Sequence, residues 1–375
     1  MENFPLKLLF FALSGFLSDA NGGRQTRSLL VFWLADGSWR FTKKMGPRLW
    51  AKRIAGTILL SYLLATLMGG AALGQESSAR ADSAAKRRSS SAKKGAPDAF
   101  ILIGAGDIVG CSDLSGAEAT AKLIEHIPGA VFAAGDLAYQ RGTYEEFVKC
   151  YGPTWGRFKA RTRPAPGNHE YGSSANGYFR YWGKQAGDPE KGYYSYDLGA
   201  WHIVVLNTNC GVKGLGGCGQ GSPEETWLKQ DLAAHPNACV LAYGHHAMFS
   251  SGLLAKHAEH PELAAFWQDL YDAHADLVLA GHEHSYERFA PQNPGGNPDP
   301  EHGIREIVVG TGGRSHTPLG YAKPNSEVRD DKTYGVLKLT LSPGKYKWEF
   351  IPVSGGRFHD TGEGVCHNQP DLPAK

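Results

Sequence analysis

Five short apolar runs in this chain each close on side chains able to bind cations or move protons. Residues 100–106 lead to Asp107, and residues 131–135 lead to Asp136, with Tyr139 one helical turn further on. Residues 163–171 carry Asn168 and His169 behind a Pro-Gly turn, residues 239–244 lead to His245 and His246, and residues 276–281 lead to His282, Glu283 and His284. One Gly-Asp is usually just a turn; five donor clusters, each placed after a run that reads as a buried strand, predict a metal site. Oxygen and imidazole donors in this number suit two first-row ions better than one. Such pairs sit about 3.5–4 Å apart and share a ligand, for which a carboxylate with two oxygens is the natural choice. Asp136 is that bridge in our reading.

The elements that must position these groups follow from periodicity. Residues 114–127 have helical spacing between the two aspartate strands, so strand, helix and strand form a βαβ unit that brings Asp107 and Asp136 to one edge of a parallel pair. Residues 193–198 and 201–207 alternate like a hairpin, and Ser222 with Glu225 forms a capping box for a helix running to residue 235. A helix over 261–274 separates the last two donor-bearing strands. Residues 304–309 close on Gly310-Thr311-Gly312-Gly313, expected to line the same edge as a backbone surface. Residues 333–341 and 346–353 alternate and should complete a second sheet.

Taken in order, Gly-Asp, Gly-Asp-x-x-Tyr, Gly-Asn-His-Glu, Gly-His-His and Gly-His-x-His resemble the motifs of the calcineurin-like metallophosphoesterase superfamily. Gly135-Asp136-Leu137-Ala138-Tyr139, Gly281-His282-Glu283-His284 and Tyr286-Glu287-Arg288 are similar to its purple acid phosphatase branch, in the small single-domain form. The resemblance covers residues 98–352. It implies a four-layer α/β/β/α sandwich with two mixed sheets, and dinuclear hydrolysis of phosphomonoesters by a metal-bound hydroxide. It further implies that Asp107, Asp136, Tyr139 and His284 hold one metal and that Asp136, Asn168, His245 and His282 hold the other. A phenolate at Tyr139 implies Fe(III), beside divalent iron, zinc or manganese. His169 would protonate the leaving oxygen or hold an equatorial one, with His257 as a second catalytic histidine and His246 and His260 as alternatives to it. Two departures stand out: Asp107-Ile108-Val109-Gly110 has one residue more than the family's Asp-x-Gly, and Gly244-His245-His246-Ala247 lacks a proline, with His245 in the ligand position. Glu287 and Arg288 are read as braces for the adjoining loop. Phosphodiesters or nucleic acid as substrate, and a non-catalytic cell-surface metal-binding protein, are the competing readings.

Composition sets the limits. At 375 residues and 42% hydrophobic content the chain can bury a core, and a formal net charge of +2 argues against a nucleic-acid partner. Forty-eight glycines and 21 prolines predict long ordered loops. Residues 54–73 are uncharged and apolar behind Lys43, Lys44, Arg48, Lys52 and Arg53, the layout of a secretory signal cut after Gly74, or of a membrane anchor if uncleaved. Met45 would begin a conventional signal. Residues 75–97 read as a disordered basic linker, 98–353 as the phosphoesterase domain and 354–375 as a tail. Six cysteines, all beyond the signal, predict disulfides in an exported protein, Cys210 with Cys218 the simplest pair. The substrate expected is a small phosphoester.

Overall fold

The computed structural model describes residues 11–18, 24–33, 39–41, 99–236, 238–253 and 259–368. The signal or anchor at 54–73, the linker at 75–97 and His257 lie outside the described residues. The chain divides into two compact units, Met1–Ser91 and Ala92–Lys375. In the first, β1 (Phe11–Ser18), β2 (Arg24–Trp33) and β3 (Trp39–Phe41) pair antiparallel in sequence order. No helix among the described residues is long and apolar enough to cross a membrane.

The second unit holds the sandwich. Its six-stranded sheet begins with β4 (Phe100–Ala105), leaves through the short β5 (Val109–Gly110) and helix α1 (Ser115–Glu125), and returns parallel in β6 (Ala130–Ala134). The two-residue β7 (Ala138–Tyr139) pairs with β5, and β8 (Thr162–Ala165) adds parallel to β6. This is the βαβ unit expected from the spacing. Helix α1 buries Ala117, Ala121 and Ile124, one stripe at i, i+4 and i+7, against the same core as β4 and β6.

The seven-stranded sheet is built from β9 (Tyr194–Leu198), β10 (Trp201–Val205), β11 (Cys239–Tyr243), β12 (Leu277–Ala280), β13 (Tyr286–Phe289), β14 (Arg305–Val309) and β15 (Ser326–Asp330), in the order β15-β13-β14-β12-β11-β10-β9. The hairpin β9–β10 is antiparallel; β10, β11, β12 and β14 run parallel. Successive strand residues point to opposite faces, and the partition is visible in β10. Ile203 and Val205 join the core between the sheets, whereas Val204 packs with Leu228 and Leu232 of α2 (Pro223–Ala234) and Phe266, Trp267 and Leu270 of α3 (Ala264–Asp272). Helices therefore cover the outer face, giving the α/β/β/α layering. Ser222 caps α2 by accepting from Glu225 N, while the Glu225 carboxylate reaches Gly221 N, one residue before the cap.

Two elements differ from the sequence expectation. β16 (Gly335–Ser342) and β17 (Lys345–Pro352) form the expected hairpin, but β16 pairs with β4, so they extend the first sheet instead of completing the second. The segment beyond residue 353 is not merely a tail: β18 (Asp360–Val365) pairs with β17, and Asp360 accepts from Tyr286 Oη and Arg288 Nε, each at 2.7 Å. Its glycine-rich sequence hides the alternation. Three disulfides, Cys111–Cys150, Cys210–Cys218 and Cys239–Cys366, use all six cysteines.

Candidate metal centre

All five donor-bearing segments leave the carboxyl ends of parallel strands, β4, β6 and β8 of one sheet and β11 and β12 of the other. The backbone there is held in an unusual state. Asp107, Asp136 and His282 have φ of 58°, 52° and 69°, the left-handed region that side chains other than glycine seldom adopt. Such conformations cost on the order of 1–3 kcal/mol each and persist where the surroundings enforce them, commonly at functional sites. Gly135, at φ 75°, has no alternative, since a Cβ there would stand 2.5 Å from His245 Nδ1.

The donors fall into two groups. In the first, Tyr139 Oη donates to Asp107 Oδ1 at 2.7 Å and lies 3.1 Å from His284 Nε2, which is itself 3.3 Å from Asp107 Oδ1. In the second, Asn168 Oδ1 lies 3.1 Å from both His245 Nε2 and His282 Nδ1, and those two nitrogens are 3.2 Å apart. Asp136 joins the groups: its Oδ2 is 3.3 Å from His245 Nε2, and Asp107, Asp136 and His245 offer ligand atoms within 4.8 Å of one another.

Outer partners turn the imidazoles of His245 and His284 so that Nε2 of each faces the centre of these groups. His245 Nδ1 faces the Ala134 carbonyl at 2.9 Å, and His284 Nδ1 faces Ser315 Oγ at 2.6 Å, so each ring turns Nε2 inward. This is the outer support that metal-binding histidines use. Acceptor atoms of His245, Asn168 and Asp136 packed at such distances repel one another unless a cation or proton lies among them. The acid–base balance shows the same demand: burial alone would strip the His245 proton, yet the charge of Asp136 raises its pKa to about 9. Burial likewise opposes ionisation of Asp136, but His245 and His169 hold its carboxyl well below the usual range. An oxygen and nitrogen donor set of this kind fits a pair of first-row metal ions.

Around the donors the chain builds a cleft of about 180 Å³ whose lining includes Asn168, His169, His282, Arg314 and Ser315. His169 Nδ1 lies 2.6 Å from the Gln140 carbonyl, which accepts its proton, and Nε2 is 3.7 Å from Asp136 Oδ2. Its ring packs on Tyr139 with centroids 4.3 Å apart. His246 is buried, bonded through Nδ1 to Thr208 Oγ1 at 2.9 Å, and its ring is 4.6 Å from that of His282. His260 stands next to it at 4.3 Å. Both alternatives to His257 therefore flank the second donor group.

Several residues support the donors without offering a ligand atom themselves. Glu170 is buried and accepts from four backbone N–H groups: Asp136 (2.9 Å), Leu137 (3.0 Å), Ala138 (3.4 Å) and Gly167 (2.8 Å). It thus fixes the turn that delivers Asp136 and the turn that delivers Asn168. Thr208 Oγ1 accepts from the backbone N–H of His245 and His246 at 3.1 and 3.0 Å. Glu287 and Glu306 accept from Ser251 N and from Met248 N and Phe249 N, bracing the segment after His246. Glu287 is the brace expected, for that segment instead of its own loop, and Arg288 ties to Asp360. The 310–313 glycine run packs beneath the donors, where a Cβ on Gly310 would meet the Glu283 carbonyl at 2.0 Å, and the cleft surface starts only at Arg314.

Comparison with known proteins agrees with this geometry. A profile described as "Calcineurin-like phosphoesterase" matches residues 98–286. "Probable inactive purple acid phosphatase 1" of Arabidopsis thaliana is 26% identical over 277 residues, 62% of this chain and 42% of that protein. Human "Acid phosphatase type 7" is 28% identical over 253 residues, 58% of this chain and 56% of its own length. The chain thus spans roughly half the length of these relatives. The solved purple acid phosphatase PPD1 of yellow lupin (Lupinus luteus) superposes with a TM-score of 0.55 at 19% identity, covering 91% of this chain and 59% of that one, which shows the shared fold. On the profile match and that fold, the chain belongs to the calcineurin-like phosphoesterase family, with purple acid phosphatases among its relatives.

Proposed function

We propose that this protein hydrolyses phosphomonoesters with two metal ions, Asp107, Asp136, Tyr139 and His284 holding one and Asp136, Asn168, His245 and His282 the other. The observation that supports this most is the convergence of two donor groups on Asp136 beside a cleft that also presents His169. Bound there, the ions would supply Lewis acidity and a water acidified towards neutrality. The phenol of Tyr139 favours iron(III) in the first position, with divalent iron, zinc or manganese in the second.

The chain's own groups do the rest. The donors fix the position of the phosphoryl group in the cleft, and Asn168, at the start of the helical turn Asn168–Tyr171, holds His169 against it. The Gln140 carbonyl keeps one imidazole proton on Nδ1, which leaves Nε2 as the ring atom that exchanges a proton with the substrate. From there His169 protonates the leaving oxygen as the bond to phosphorus breaks. His257, or His246 or His260 in its place, is the second catalytic histidine. The three disulfides are in keeping with export to an oxidising compartment.

Because three similar plant proteins are named as probably inactive, the test must separate chemistry from metal binding. Full-length protein with both ions measured is assayed on p-nitrophenyl phosphate and on its bis-aryl diester. The monoester should be cleaved faster. Preference for the diester would make the protein a phosphodiesterase, and no turnover with two ions bound would make it a metal-binding relative without catalysis.

A further inference from the structure

Arg314 lines the cleft, yet nothing in the proposed chemistry uses it. Its guanidinium carbon lies 5.0 Å from the centroid of the Tyr139 ring, and the Arg314 backbone N–H donates to the Asp107 carbonyl at 3.0 Å. The side chain rests on Gly110, where a Cβ would meet its Nε, Cδ and Cζ at 3.0–3.2 Å. Gly110 closes the lengthened Asp107-Ile108-Val109-Gly110 loop, so the extra residue of that loop supplies the bare backbone on which the arginine lies.

Arg314 Nε is buried without a hydrogen-bond partner, and no carboxylate among the described residues forms an ion pair with the guanidinium. With Nε closed off against Gly110, the terminal nitrogens are what the guanidinium offers the cleft, a fork that takes an anion through two parallel N–H bonds. Tyr139 stands between Arg314 and the first donor group, so the guanidinium lies beside the donors and not among them. The reacting phosphoryl group belongs with the donors. What reaches Arg314 is the next anionic group along the substrate.

We propose, on the strength of the phosphatase reading above, that Arg314 is a specificity residue that binds a second phosphate adjoining the one cleaved, making diphosphates the preferred substrate class. In the reaction, the oxygen of water forms a bond to the terminal phosphorus and the bridging P–O bond breaks. Its electron pair stays on the bridging oxygen of the departing phosphate, which Arg314 holds and His169 protonates; the proton lost by water passes to solvent.

The test compares full-length protein, loaded with both metals, against Arg314→Ala and Arg314→Lys. The rates compared are kcat/KM on inorganic pyrophosphate and on p-nitrophenyl phosphate; calorimetry with imidodiphosphate and with inorganic phosphate adds a readout independent of turnover. Loss of one charge-assisted contact predicts that Arg314→Ala lowers kcat/KM on pyrophosphate at least about tenfold more than on the aryl ester, with imidodiphosphate affinity falling in the same proportion relative to phosphate. Arg314→Lys should recover part of both. Equal losses on both substrates would place Arg314 on the transferred phosphoryl group, and no loss on either would remove it from recognition; each result overturns the proposal. If the unsubstituted protein cleaves neither substrate, the phosphatase reading fails, and the calorimetric ratio alone still decides for or against Arg314.

Discussion

The Tyr139 hydroxyl donates to Asp107 Oδ1 across 2.7 Å, and both residues are buried, at 3% and 0% exposure. Burial and the neighbouring Asp107 charge push the phenol well above its ordinary pKa, so only a strongly Lewis-acidic cation would draw off its proton. Protein loaded with iron should therefore show a visible charge-transfer band that Tyr139→Phe abolishes. A spectrum of the two proteins at equal iron content checks this, and an unchanged band would place the phenol outside the metal's ligands.

Glu170 should matter without touching substrate. Glu170→Gln replaces one carboxylate oxygen by an amide that cannot accept, leaving two of the four backbone N–H groups unpaired in the interior. The expected loss of unfolding free energy is about 1–3 kcal/mol, read from urea denaturation. Because the Asp136 turn loosens, kcat should drop as well. Stability and turnover equal to the unsubstituted protein would contradict this.

A histidine remote from the metal centre should govern stability in acid. His202 is buried between Asp197 Oδ1 and Asp231 Oδ2, each 2.8 Å from one ring nitrogen, and its ring stacks on His235 at 3.7 Å. Burial would lower its pKa, but the hydrogen bonds and charges of Asp231 and Asp197 outweigh that and raise it. Burial also opposes the Asp231 charge, and hydrogen bonds from His202 and Ser195 hold that carboxyl low. A raised histidine pKa stabilises fully below the unfolded value of about 6.5 and is lost as pH rises through the folded value. A lowered aspartate pKa stabilises above about 3.8 and is lost as pH falls through the folded value. The clamp is then complete between about pH 4 and 6.5. Denaturation midpoints of the unsubstituted protein and His202→Gln should differ most in that window and converge above it. A gap that is constant or widens towards alkaline pH would refute the clamp.

Much of this was legible because strand ends and donors coincide in the sequence: Gly135-Asp136 and Gly281-His282 combine the required backbone with the donor. The pairing of β16 with β4 was not legible, since alternation tells that a strand is half buried but not which neighbour it joins. β18 escaped notice because Gly362 and Gly364 interrupt the pattern; Trp348 and Tyr346 of β17 occupy the space their side chains would take. Glu170 and Thr208 support the site through backbone N–H groups, contacts that leave no spacing to read. Arg314 follows a glycine run that looks like a turn, and its role depends on Gly110, about 200 residues earlier.

Asp136 is the shared ligand in the proposed dinuclear centre, and paired metal and activity measurements on Asp136→Asn test that role most directly. Asn keeps the shape but loses the charge needed between two cations. The protein should fold, bind fewer than two ions by elemental analysis, and lose at least about a hundredfold in kcat on p-nitrophenyl phosphate. Two ions bound with near-normal turnover would contradict the bridge and with it the dinuclear centre described here.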